Sequence, residues 1–92
     1  MAVEWTSKDP EEVLDYDIKW AKRLDTGDVI ESSTWSIAPT GLIMGDTSYI
    51  SDATKIWVSG GTEGVTYSCT NQVVTQQGRT MEQTVQLRIK TR

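Results

Sequence analysis

Leu14, Tyr16, Ile18 and Trp20 alternate with Asp15, Asp17 and Lys19. A period of two places the first set on one face and the second on the other, so residues 14–20 predict a half-buried β-strand. Thr26-Gly27-Asp28 then signals a turn. A second strand is expected over 28–37, with Val29, Trp35 and Ile37 in phase. Ala38-Pro39-Thr40-Gly41 ends it, because proline cannot donate to a ladder and glycine opens a turn. Residues 42–51 are less regular, and Gly45-Asp46 reads as a hairpin turn or a bulge. In TKIWVSGG, Ile56 and Val58 point inward and Trp57 outward. After the glycines at 60, 61 and 64, Val65, Tyr67, Cys69 and Val73 share a face opposite Thr66, Ser68, Thr70 and Gln72. Residues 76–79 turn the chain. The last strand sets Met81, Val85, Leu87 and Ile89 inward, with Glu82, Thr84, Gln86, Arg88 and Lys90 facing water.

These are five clear strands, and about seven if 4–7 and 42–51 also pair. Closely spaced strands separated by turn signals predict an all-β sandwich of antiparallel strands. One segment competes for helix. DPEEVLDYDIKWAKRL opens with an Asp cap, a proline and two glutamates. Its apolar residues at 14, 16, 18 and 20 cannot share a helical face, so strand is preferred there, with a single helical turn at 10–12. Tyr67 followed two residues later by Cys69 is the pattern that begins strand F of immunoglobulin-like sandwiches. There the cysteine bridges to a second one. Here Cys69 has no partner in the sequence, so no disulfide is expected. A chain of 92 residues makes one domain over 1–92, with 1–9 as an N-terminal arm or first strand, Val3 and Trp5 packing in it.

Charge and composition narrow the function. The net charge is −4, and the basic residues, Lys8 among them, are scattered. Arg88, Lys90 and Arg92 make a small group that reads as a solvated edge. Sequence-specific nucleic-acid binding is therefore not expected. No run of about 18 apolar residues is present to span a membrane, and the first residues show no basic segment leading into an apolar one, so no secretory leader is expected. A single cysteine fits synthesis in a reducing cytoplasm.

Histidine is absent, which removes the commonest metal ligand and general base. Cys69, on an inward face, has no base to activate it and reads as a small buried hydrophobe. Asp9, Glu11, Glu12, Asp15 and Asp17 read as a solvated acidic edge and not as a catalytic pair. Calcium at Asp25, Asp28 or the Asp9 cluster is conceivable, but EF-hand spacing is missing. The GGTEG glycines lack the lysine and helix of a phosphate loop. Neither catalysis nor a cofactor is expected. Trp20, Trp35, Tyr67 and Cys69 are expected to be structural. Trp57, Leu42, Ile43, Met44, Tyr49 and Ile50 are left over. They belong either to a protein interface, where aromatics and methionine are enriched, or to cover over the ends of the sheets.

Three stretches together resemble a known family. They are KDPEEVLDYDIKW (8–20), GDVIESSTW (27–35) and IWVSGGTEGVTYSCTNQVVTQQGRTMEQTVQLRI (56–89). The Lys-Asp-Pro opening, the Leu-Asp-Tyr before Trp20, the Ser-Gly-Gly turn and the Gly-Arg before the last strand carry the likeness. It is to the tailed-phage fibre–tail adaptors, small immunoglobulin-like virion proteins. The resemblance implies a non-enzymatic adaptor, present in many copies in the tail or neck and joining fibres or neighbouring proteins. Assembly in the host cytoplasm is implied with it. Tyr67 would then bond back to the turn at 60–64. The stretch from Leu42 to Ser51 aligns least with that pattern. The other function class that fits the residues is a stand-alone sandwich module binding carbohydrate or peptide.

Overall fold

The computed structural model describes residues 3–91, and among them there are strands and turns but no helix. The strands are β1 (Val3–Glu4), β2 (Leu14–Lys19), β3 (Ile30–Ala38), β4 (Leu42–Ile50), β5 (Ala53–Gly60), β6 (Thr66–Thr75) and β7 (Thr80–Arg88). They form two sheets, ordered β1-β7-β6-β3 and β2-β5-β4. From β2 to β7 every pairing is antiparallel. β1 instead lies parallel to β7, through Val3↔Val85 and Glu4↔Gln86. The expectation of seven antiparallel strands is thus corrected to six, with a two-residue parallel segment beside the last. Arg92 lies outside the described residues.

Both sheets contribute to one core. Ile18, Ile56 and Val58 from one meet Trp35, Tyr67, Cys69, Val73, Val85 and Leu87 from the other, with Trp20, Leu42 and Ile89 at the ends. Burying an apolar side chain of this size is worth about 1.5–3 kcal/mol. In β3 the expected phase fails at its start. Ile30, not Val29, is the buried residue. Ile30 pairs with Thr75 and Ser32 with Val74, so Glu31 is an extra residue in the strand. That bulge lets Ile30 and Trp35, an odd number of residues apart, face the same core.

A polar cluster crosses this core. Asn71 is fully buried on the same face of β6 as Cys69 and Val73. Its Oδ1 accepts from Trp20 Nε1 (3.1 Å) and Thr54 Oγ1 (2.7 Å). Its Nδ2 donates to Ser33 Oγ (2.9 Å) and to the Thr34 carbonyl (3.1 Å). Residues from β3, β5, β6 and the end of β2 are thereby held in one register. A buried amide with donors and acceptors all used costs little, whereas the same amide unpaired costs the full desolvation.

The N-terminal segment is fastened twice. Trp5 stacks on Tyr16 with ring centroids 4.7 Å apart, and its Nε1 donates to the Asp17 carbonyl. Lys8, one of the scattered basic residues, is fully buried. Its Nζ donates to the carbonyls of Asp9 (2.8 Å) and Gly60 (2.6 Å). Burial pulls the Lys8 ammonium below its ordinary pKa, against the raising effect of Glu12, Asp9 and Glu11. The predicted turn at 10–12 is a single capped turn, not a helix. Glu12 N donates to the Asp9 carbonyl, Glu11 N to Asp9 Oδ1, and Asp9 N to Glu12 Oε1.

Candidate interaction surface

In an antiparallel pair, directly opposed residues point to the same side. On β5, Thr54, Ile56 and Val58 are buried, so Ala53, Lys55, Trp57 and Ser59 point outward. The register then assigns the rest of the outer face. Asp15 opposes Trp57 and Asp17 opposes Lys55 on β2. Ile43 opposes Ser59, Ser48 opposes Lys55 and Ile50 opposes Ala53 on β4. The face therefore carries Asp15, Asp17 and Lys19 on β2, a central Trp57 and Lys55 on β5, and Ile43, Ser48 and Ile50 on β4. Lys55 Nζ and Asp15 Oδ2 form an ion pair at 3.5 Å, with both side chains nearly half exposed. Such a pair contributes at most about 1 kcal/mol.

Trp57 is 42% exposed, Ile43 61% and Ile50 65%. Beside Trp57 the ladder of β4 shifts between Met44 and Thr47, so Gly45 and Asp46 together face one residue. A Cβ on Gly45 would come within 3.2 Å of the Trp57 carbonyl oxygen and 3.4 Å of its Cβ. The glycine lets the bulge lie against β5 there.

The six leftover residues separate into three groups. Trp57, Ile43 and Ile50 share the outer face. Met44 and Tyr49 oppose Val58 and Thr54, so they lie on the inner side, yet both stay exposed because β4 ends the sheet. Tyr49 Oη donates to the Glu31 carbonyl and braces β4 against β3. Leu42 is a correction: it is buried and belongs to the core. It stands opposite Gly60, and a Cβ on the neighbouring Gly61 would lie 3.3 Å from its Cδ1. A shallow cavity of about 210 Å³ is lined by Asp17, Ser48, Tyr49, Ile50, Ala53, Thr54 and Lys55. That is smaller than the roughly 300–1,000 Å³ of ordinary small-molecule pockets.

The residues weighed for chemistry are engaged structurally. Burial pushes the Cys69 thiol up to about 11, so at neutral pH it is not a thiolate nucleophile. Asp25 pairs with Arg79. Asp28 is buried, and its Oδ1 accepts from Val29 N (2.9 Å) and Gln77 N (3.1 Å). Among the described residues no group of three or more His, Cys, Asp or Glu side chains is arranged to hold a metal ion. Tyr67 is buried, and its hydroxyl accepts from Thr62 N at 3.0 Å, five residues upstream. Trp20 and Trp35 are both buried. Two participants escaped the sequence reading. Asn71 stood in phase with Tyr67 and Cys69 but is polar, and Lys8 carries a charge.

Such a chain is an all-β protein whose β2-β5-β4 sheet presents a mixed outer face with Trp57, Ile43 and Ile50 exposed on it, and ends in the exposed strand β4. Over residues 8–88 it matches the family described as Podophage GP4 fiber-tail adaptor protein gp77. That span is most of the chain, and the protein belongs to this family of phage fibre–tail adaptors. No curated protein matches it in sequence.

Proposed function

We propose that this protein is a non-enzymatic adaptor of a phage virion that joins fibres or neighbouring proteins to the tail or neck. The observation that carries the reading is the outer face of the β2–β5–β4 sheet, where Trp57 stands exposed with Ile43 diagonally across on β4, and Ile50 lies further along the same face beyond Lys55 and Ser48. An exposed tryptophan with an exposed isoleucine beside it is the chemistry of an interface. Family membership supplies the class of partner: other phage tail and fibre proteins. The adaptor acts in many copies in the virion, is made in the host cytoplasm, and reads neither nucleic-acid sequence nor membrane.

The fold we assign is an immunoglobulin-like sandwich forming one domain over 1–92. The sheet orders β1-β7-β6-β3 and β2-β5-β4 support it. So do a buried Trp35 on β3, Cys69 on β6, and the Tyr67 hydroxyl bonded back to Thr62 N, the tyrosine-corner arrangement of that class.

The test is a paired measurement on Trp57→Ala. Thermal melting of the isolated chain should change little, within about 0.5 kcal/mol. Incorporation into particles, or binding to the phage's purified fibre and tail proteins, should weaken by about 2 kcal/mol or more. A large drop in Tm with normal incorporation would place the binding surface elsewhere.

A further inference from the structure

We propose that the free edge of β4 accepts a strand from the adaptor's partner, an extended segment of basic and apolar residues that lengthens the β2-β5-β4 sheet. This rests on the adaptor reading above and names the mode of contact. β4 is paired on one side only. Among the described residues, no hydrogen bond outside the β4–β5 ladder involves the backbone of 42–50. An antiparallel edge strand directs alternate N–H and C=O groups outward, where they form a template for one more strand. Nine residues at about 3.3 Å each give an edge of roughly 30 Å.

β4 differs from the other edges in the apolar side chains it exposes, although it too carries a bulge and one charge. β2 alternates Asp15, Asp17 and Lys19 along its length. β3 carries Glu31, Ser32, Ser33, Thr34 and Ser36, and β1 is two residues long. β4 offers Ile43, Met44, Tyr49 and Ile50, all exposed, with one charge, Asp46. Strand addition takes affinity from such backbone groups and specificity from alternate side chains.

Charge selects the occupant. Between Arg23 and Lys55 the sequence has no basic residue, while Glu31, Asp46 and Asp52 fall there on β3, on β4 and in the turn that follows. None of these three acids is in an ion pair among the described residues. A lysine or arginine opposite Asp46 would meet an uncompensated carboxylate. A second copy of the chain is disfavoured by the same groups. Pairing β4 with its own twofold mate sets Asp46 against Asp46 and one bulge against another at the centre of the strand.

The test uses the full chain with the purified fibre and tail proteins of the same phage. In the complex, hydrogen exchange should slow at alternate amides within 42–50 and stay unchanged in 14–19. Asp46→Lys, at an exposed bulge position, should melt as the wild type does and bind about tenfold more weakly or worse. If the wild-type chain binds while 42–50 gains no protection and Asp46→Lys binds equally well, the edge inference is overturned and the adaptor reading stands. If the wild-type chain binds neither protein, both fall. Protection of 42–50 in the chain alone, rising with its concentration, would make a second copy the occupant and overturn the assignment to a basic partner segment.

Discussion

Four hydrogen bonds converge on the Asn71 side chain at a fully buried position. Asn71→Ala leaves the Trp20 indole N–H with only the Thr54 hydroxyl, at 3.2 Å, and strips Ser33 and Thr34 of their donor. The cost should be about 1–3 kcal/mol, read as a lower urea midpoint with an unchanged slope. Asp28 has a different signature. Burial alone would raise its carboxyl pKa. The neighbouring Thr75 hydroxyl, the Gln77 and Val29 amides and the Arg79 charge outweigh burial and hold it below the ordinary value. A carboxyl with a lowered folded pKa adds stability that is fully present above the unfolded pKa of about 3.9 and is lost as pH falls through the folded value. Asp28→Asn should therefore lower Tm at pH 7 and flatten the loss of Tm between neutral and acid pH. An equally steep acid limb in the variant would assign that limb to other carboxylates.

At the scale of elements, alternation made most of the fold legible. β2, β5, β6 and β7 each bury alternate residues, and Ile18, Ile56, Val58, Tyr67, Cys69, Val85 and Leu87 lie where a period of two puts them. What the pattern hid had physical causes. The extra Glu31 changes the phase of β3, so the periodicity misplaced Val29 into the core and left out Ile30. On β4 the bulge and the open edge leave residues 43–50 exposed, so no burial rhythm is written there. Asn71 and Lys8 are buried because partners satisfy them, and a partner from another strand is invisible in a linear pattern. The corner joining β3 to β4 is equally tertiary. Gly41 has φ +128°, and a Cβ there would lie 2.6 Å from the Tyr67 hydroxyl oxygen. That hydroxyl holds Thr62 N, while Gly61 N donates to the Gly41 carbonyl. Gly41→Ala thus combines backbone strain with displacement of the tyrosine and should cost about 1–3 kcal/mol. Gly64→Ala, at φ +85° with nothing within 4 Å of the added Cβ, should cost less. Melting curves of the two variants side by side check the ordering, and equal losses would mean that strain alone acts at both.

For the molecule as a whole, the core and the proposed interface take adjacent residues of a single strand. Leu42 is buried in the shared core, and Ile43, the next residue, is 61% exposed on the outer face. Removing the Leu42 side chain opens a void among packed neighbours, so Leu42→Ala should destabilise the chain by about 2–3 kcal/mol, the lower part of the range for leucine because it sits at the end of the core. Its effect on binding should come only through the fraction unfolded. Ile43→Thr keeps a β-branched residue on the strand and removes apolar surface from the face. It should leave stability within about 0.5 kcal/mol and weaken association by about 1 kcal/mol or more if Ile43 lies within the contact. Denaturant titration gives the first quantity and binding to the fibre and tail proteins the second, both on the same preparations. The expected result is a crossed pattern, with one variant losing stability and the other losing affinity. If both lose stability alike, Ile43 supports the fold; if both bind as the wild type does once the unfolded fraction is corrected, the N-terminal half of β4 is not part of the interface.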